Sequence, residues 1–459
     1  MKKQSLISRS KSVSILTKTG FFLLLGLFIL FSSCKKKKAD PECSPLTGGG
    51  FEVVSHTERD AQDVVEQFMV LPDDSGSFDY NDLYKEMYEE LAAEPDGALG
   101  LKLIAHEAVK YASTDNNGDP VMLTGLLIYP WNLRPFGKVN APIISMNHGT
   151  QILKKYAPSK WKKAQWSDWK NFPEMAVADV MALWYGWIII MPDYQGMGDD
   201  IGENHPYVIR DRLATATADM VEAAQQSLSC DRNAYVKWNG QTYLYGYSEG
   251  GFVTMVAARE LEARKISLNG VVCMDGPYDL SGTMLDVMLG DKPFPVPYFL
   301  PMMLVGYNTM YPTSFNYTTM LKEPYRTDIP KYTTGLNDET VVNGIMPADK
   351  ILKKVFTDSF ADSLKTFTSR AYQFVYENNS YVNWAPKSKM LLWHCKNDDC
   401  VPFGNYVVAK KRFSDMGLTN IEYVEYGPID NPKSGTIHVA VAPKAFLEGA
   451  KWIRRQTKL

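Results

Sequence analysis

A serine stands between two glycines in Gly246-Tyr247-Ser248-Glu249-Gly250. An apolar, strand-like run at 242–245 precedes it, and a helix-like segment opens at Gly251. Strand, sharp turn and helix in that order lift a serine hydroxyl above a sheet as a nucleophile, with glycines where the backbones pass too closely for side chains. The helix N-terminus behind the serine favours developing negative charge. A serine hydroxyl attacks an acyl carbonyl only when a base takes its proton and an acid orients that base. The chain has six histidines, and only His438, in Gly435-Thr436-Ile437-His438, lies beyond the acidic pair Asp398-Asp399. An oxyanion would need two backbone donors. The Glu249 amide supplies one, and the Thr150 or Gly149 amide of Asn147-His148-Gly149-Thr150, directly after a strand-like run at 142–146, supplies the other.

After the strand-like run at 390–393 comes His394-Cys395-Lys396-Asn397-Asp398-Asp399-Cys400-Val401-Pro402. This segment resembles the His-Gly-x-x-Asp-x-x-Val-Pro acid loop of the α/β-hydrolase superfamily. Asp398 aligns with the acid, Cys395 replaces the usual glycine, and Asp399 is the neighbouring alternative. Either aspartate could instead cap the helix after Pro402. Pro192-Asp193-Tyr194-Gln195-Gly196-Met197-Gly198, followed by His205-Pro206-Tyr207, is similar to segments of secretory lipases and related esterases in that superfamily. The resemblance runs from about residue 121 to the C-terminus. It implies a triad of Ser248, Asp398 and His438 in the superfamily's order, an acyl-enzyme intermediate, and no cofactor or metal. Asp193 and its glycines then shape the loop beneath the site, and His205 packs.

The elements that must position these residues fit the same fold. Apolar, β-branched runs at 121–129, 141–146, 187–191, 242–245, 268–274 and 390–393 predict strands. Helical spacing at 211–227, 251–264, 406–416 and 441–454 predicts helices between or after them. Alternation of this kind gives an α/β fold, a mainly parallel sheet covered on both faces. The stretch 276–388, with Pro293, Pro295, Pro297 and Pro301 among many Met, Phe and Tyr residues, breaks the alternation and is expected to be an inserted cap or lid. The hydrolase core is then 51–275 and 389–459. No fixed repeat period suggests a solenoid or propeller.

The N-terminus has a different character. Lys2, Lys3, Arg9, Lys11 and Lys18 precede an unbroken apolar run at 21–31, with Ser32, Ser33 and Cys34 directly after it. Residues 1–33 have the layout of a secretory signal, too short in its apolar part for a stable transmembrane helix. Ser32-Ser33-Cys34 resembles the lipobox of bacterial lipoproteins, with Phe31 where leucine is usual, which implies lipidation at Cys34 and a membrane-anchored envelope protein. Lys35 to Lys38 would lie near lipid head groups. Residues 34–50, ending in Gly48-Gly49-Gly50, read as a flexible tether. Cys43, Cys230, Cys273, Cys395 and Cys400 remain, an odd number. Cys395 and Cys400 are near enough to cross-link, but their spacing does not fit a zinc knuckle, so no structural metal is expected.

With 49 basic and 52 acidic residues and a net charge of -3, the chain has no field to gather nucleic acid. Leu285, Met288, Phe294, Phe299, Met303 and their neighbours give the insertion an apolar, adaptable surface, suited to the acyl part of a small-molecule or lipid ester or simply to the cap's own core. Two rival readings remain. A serine peptidase of the prolyl-oligopeptidase type shares fold and order, although no propeller repeat precedes the core. A non-catalytic envelope binding protein could also keep this fold.

Overall fold

The computed structural model describes residues 51–61, 103–131, 138–166, 173–200, 202–229, 235–430 and 435–457, with Asn233 and a few helical positions between 63 and 89. The expected signal, lipidated Cys34 and tether lie outside the described residues.

Nine strands form one sheet in the order β1-β2-β3-β5-β4-β6-β7-β8-β9. They are β1 (Glu52–Asp60), β2 (Leu103–Thr114), β3 (Pro120–Pro130), β4 (Val139–Asn147), β5 (Ile188–Pro192), β6 (Val236–Tyr247), β7 (Gly270–Met274), β8 (Met390–Cys395) and β9 (Ile421–Tyr426). The β1/β2, β2/β3 and β3/β5 pairs are antiparallel, and every later pair is parallel. β5 and β7 are buried along their whole length, because helices cover both faces of the parallel part. Tyr243, Tyr245 and Tyr247 of β6 join the core of one face, while Leu244 joins the other. That alternation is the two-residue period of a strand.

Helices α1 (Pro173–Tyr185), α2 (Arg210–Ser229), α3 (Glu249–Ala263), α4 (Phe299–Met310), α5 (Gly404–Asp415) and α6 (Ile437–Thr457) are the ones that bear on the site. α1 and α6 supply Met175, Val180, Val441 and Phe446 to one sheet core. α2, α3 and α5 supply Met220, Met255, Leu261 and Phe413 to the other. Residues 276–388, the cap below, fold between β7 and β8 as short helices around α4 and have their own apolar core. In it Leu304, Tyr307 and Phe315 pack with Val208 and Leu213 of the body and with Phe252 and Val253 of the first turns of α3. The cap therefore rests on the turns beside Ser248.

The structure adds three strands to the predicted six, each with a physical reason. β1 is exposed at nearly every position and sits on the sheet edge, so it lacks an apolar period. β2 carries His106, Glu107 and Lys110 among its apolar residues, and β9 is a short Ile-Glu-Tyr-Val-Glu-Tyr alternation. β6 also begins six residues before its predicted start, its first half passing through polar Asn239-Gly240 opposite an irregularity in β4. α6 opens at Ile437 rather than 441, which places His438 in its first turn rather than ahead of it. Thr436 Oγ1 accepts the Val439 amide at 3.2 Å and caps the first turn. Cys273, Cys395 and Cys400 are free and buried, so the cross-link that the spacing of the last two would allow is not formed here.

Candidate active site

The turn between β6 and α3 forces Ser248 to φ 59°, ψ −128°. A non-glycine residue at positive φ is uncommon and costs on the order of 1–3 kcal/mol, which persists only where the surroundings dictate it. The Ser248 amide is held by the Met274 carbonyl of β7 at 2.9 Å. A methyl on Gly246 would stand 2.2 Å from the Gly250 carbonyl oxygen, and one on Gly250 would stand 2.0 Å from the Asn147 carbonyl oxygen. Glycine is required at both places by close approach of backbone, and the serine hydroxyl is left facing away from the sheet edge.

His438 Nε2 lies 2.8 Å from Ser248 Oγ, and His438 Nδ1 lies 2.5 Å from Asp398 Oδ2. Three residues distant in sequence thus meet at the C-terminal edge of the sheet, all of them buried. With Asp398 as acceptor, Nδ1 carries the proton and Nε2 is free to accept from the serine. Burial works to lower the His438 pKa, but the Asp398 charge and hydrogen bond outweigh it and hold the imidazole above its ordinary value. Burial pushes the Asp398 carboxyl up, and His438 more than reverses this, leaving it below the usual range.

The choice between adjacent aspartates is resolved by geometry. Asp398 Oδ1 accepts the Cys400 and Val401 amides at 2.9 and 2.8 Å, which fixes its carboxylate toward the imidazole. Asp399 turns instead to the start of α6 and accepts the Ile437 and His438 amides, each at 3.2 Å. Neither caps α5, whose N-cap position is Phe403 and has no side-chain cap. Asp399 therefore orients the helix that carries His438. Tyr247 adds a second restraint, donating its hydroxyl to the His438 carbonyl at 2.6 Å.

Of the expected oxyanion donors, Glu249 opens α3, where an amide has no intrahelical acceptor. The two candidates after β4 differ. The Gly149 amide donates to Glu174 Oε1 at 2.9 Å. It is committed to a buried carboxylate, so Gly149 is corrected from oxyanion donor to a residue whose amide holds Glu174. Thr150, whose hydroxyl pairs with Tyr207 at 3.0 Å, is left as the residue of that loop for the role. His148 stacks on Tyr194 at 4.2 Å, and burial depresses its pKa.

The lower loop is built from the Pro-Asp-Tyr segment. Asp193 is fully buried and accepts from the Ser159 amide at 2.8 Å and the Thr124 hydroxyl at 2.6 Å. His205 spans the Gln195 carbonyl at 3.0 Å and Glu249 Oε1 at 2.9 Å, tying this loop to the serine turn. Sequence reasoning passed over Asp275 and His394, which lie beneath the acid loop. Their signal is positional, since each stands at the C-terminal end of a parallel strand, the edge where such sheets build sites.

Beside Ser248 the cap and body form a partly open hollow, lined by Tyr207, Leu280, Met288, Phe299, Met303 and Val401 among others. Its wall is almost wholly apolar, and the serine stands at its floor. A hydroxyl, imidazole and carboxylate in series beneath an apolar hollow can transfer an acyl group from an ester.

The sequence model of the secretory lipase family matches residues 174–456. The chain belongs to the secretory lipase family. As a member it is an ester-hydrolysing enzyme, and the family's description places its members among exported proteins. No curated protein matches this secretory lipase. Its fold is similar to that of the rice cell wall degrading esterase LipA from Xanthomonas oryzae, at 20% identity and TM-score 0.68, with 88% of this chain and 98% of that one covered. Candida antarctica lipase A is similar over 71% of this chain and 73% of its own, at 16% identity and TM-score 0.56. Both likenesses speak to the α/β-hydrolase fold. Among the described residues of this secretory lipase, no helix is long and apolar enough to cross a membrane.

Proposed function

We propose that this secretory lipase cleaves carboxylic esters through an acyl-Ser248 intermediate, with His438 as general base and acid and Asp398 as its orienting carboxylate. The observation that carries the reading is His438, hydrogen-bonded at once to Ser248 Oγ and Asp398 Oδ2. His438 takes the serine proton as Oγ attacks the acyl carbon, and the resulting imidazolium is stabilised by Asp398. The amides of Glu249 and Thr150 receive the oxyanion. His438 then protonates the departing alcohol, and the same steps with water release the acid and regenerate Ser248. The apolar hollow supports an acyl chain as the part of the substrate held under the cap. Family membership favours an ester over a peptide amide and a working enzyme over a binding protein.

The same proposal extends to location. The basic and apolar layout of residues 1–33 supports export, and Cys34 supports lipid attachment that keeps the enzyme at a bacterial envelope membrane.

Labelling of the full-length protein with a fluorophosphonate probe tests the chemistry. Labelling is expected in the wild type and absent in Ser248→Ala, whose ester hydrolysis should fall on the order of 10⁴-fold or more. A series of acyl esters of rising chain length run beside it should show preference for chains long enough to fill the hollow. A wild type that neither labels nor turns over any ester, or that cleaves peptide amides in preference, would defeat the reading.

A further inference from the structure

Behind the Ser248, His438 and Asp398 array lies a second carboxylate and imidazole that the reaction as described does not use. Asp275 follows β7 directly, at φ 42°, and is fully buried. Its Oδ1 accepts the Cys395 amide at 2.8 Å and lies 3.3 Å from His394 Nε2. His394, equally buried on β8, brings the same Nε2 to the Val401 carbonyl at 2.8 Å. The Val401 amide is one of the two that hold Asp398. A path of close contacts therefore runs from Asp275 to His394 at ion-pair distance, then by hydrogen bonds through the Val401 residue to Asp398, and from there to His438 and Ser248. Every link on it is within hydrogen-bonding reach of the next.

We propose that Asp275 and His394 form a second carboxylate–imidazole pair that positions the acid loop through Val401 and adds negative charge to the field in which His438 works. The inference rests on the reading of Ser248, His438 and Asp398 as a triad. Both neighbours of His394 Nε2 are acceptors, so that nitrogen carries the proton, while Nδ1 has no hydrogen-bond partner among the described residues. Asp275 Oδ2 also lacks a hydrogen-bond partner among the described residues, so its charge is not quenched from that side. The titratable groups facing Asp275 are Tyr247 from β6, Tyr278 from the segment after β7, His394 and Cys395 from β8, Asp398 from the acid loop and His438 from α6. Burial drives the Asp275 pKa up, His394 opposes this and Asp398 adds to it, for a value of about 6. Above that pH the carboxylate is charged and favours the imidazolium that forms at His438 in the transition state. Below it the support is withdrawn. Asp275 and His394 are thus positioning residues, acting through Asp398 and His438 rather than on substrate.

The test is the pH profile of kcat/KM on a soluble short-chain ester for the full-length wild type, Asp275→Asn and His394→Asn. Asparagine at 275 keeps an acceptor for the Cys395 amide and tolerates positive φ, so the fold is expected to survive. Asp275→Asn should still label with fluorophosphonate, keep KM within about twofold and lose about tenfold in kcat. Its acid-limb midpoint should move to lower pH by roughly half a unit or more, because His438 has lost a neighbouring negative charge. His394→Asn should move the midpoint the same way, since Asp275 without its imidazole protonates at higher pH, and it covers the case in which Asp275→Asn does not fold. Folded variants whose activity drops with the midpoint unmoved, or moved upward, would overturn the proposal and leave the pair a packing element. A wild type that does not label at Ser248 would instead overturn the triad reading beneath it.

Discussion

Two buried aspartate and histidine pairs of closely similar geometry lie in different parts of the molecule. His106 Nε2 is 2.6 Å from Asp179 Oδ1, and His438 Nδ1 is 2.5 Å from Asp398 Oδ2. What surrounds them differs. Asp179 also bonds the Arg59 guanidinium and, at 3.1 Å, the Trp161 indole, while Arg59 stacks over Trp166 at 4.4 Å. Burial raises the Asp179 carboxyl, and His106 and Arg59 together overcome it and hold it below its ordinary value. Arg59 comes from β1, His106 from β2 and Asp179 from α1, so this cluster fastens the edge of the sheet to a helix. The second pair has a serine 2.8 Å from its free imidazole nitrogen and an apolar hollow above. A buried carboxylate and imidazole alone do not make a catalyst. The nucleophile and the space for a substrate do.

That contrast can be broken from either side. The largest effect on rate is expected for Asp398→Asn, which keeps the shape of the acid loop but removes the charge that fixes the imidazole proton on Nδ1. Loss of kcat on the order of 10⁴-fold, with little change in unfolding temperature, is the expected outcome in paired kinetic and thermal measurements. Asp179→Asn should do the reverse. It removes the buried charge that Arg59, His106 and Trp161 all bond and should cost about 3–5 kcal/mol in denaturant unfolding, while kcat per folded molecule stays near the wild type. Because the folded Asp179 pKa is depressed, its stabilisation is complete above the unfolded value, near 3.9 for a free aspartate, and is lost as pH falls through the folded value. The Asp179→Asn protein should therefore show a flatter loss of stability on acidification than the wild type. If instead it lost turnover without losing stability, the two pairs could not be separated as drawn.

The smallest effect sharpens the contrast within the acid loop. Asp399→Asn removes a charge from the start of α6 but keeps an acceptor for the Ile437 and His438 amides. A loss of up to about 1 kcal/mol in stability and a fall of only a few fold in kcat are expected. A fall approaching that of Asp398→Asn would mean that the two carboxylates share the acid role.

The strand, sharp turn and helix around Ser248 are legible because glycine at 246 and 250 answers a local need, the close approach of backbones. His438 is legible by chain order alone. Asp275 is not, since it reads in the sequence as an ordinary residue after a buried strand, and His394 is legible only as the first residue of the acid loop; the parallel pairing of β7 with β8 brings the two together. Gly149 shows the opposite case. Its position after β4 marks it correctly as part of the site, but the partner that takes its amide, Glu174, arrives from α1 across the fold. The edge strand β1 was hidden because its one buried side chain is the polar Arg59, and β2 because His106, Glu107 and Lys110 interrupt its apolar residues.

The sequence by itself determined the class of fold, the proposed nucleophile and the order of the candidate groups, because glycine spacing, apolar runs and chain order are local properties. Tertiary structure alone decided which of two adjacent aspartates faces the imidazole, which loop amide remains for an oxyanion and which buried charges surround the site. Those are questions of direction and distance. A carboxylate's role depends on whether imidazole, amide or guanidinium stands within about 3 Å of it, and residues that meet at that range can be as far apart in the chain as Ser248 and His438, 190 positions.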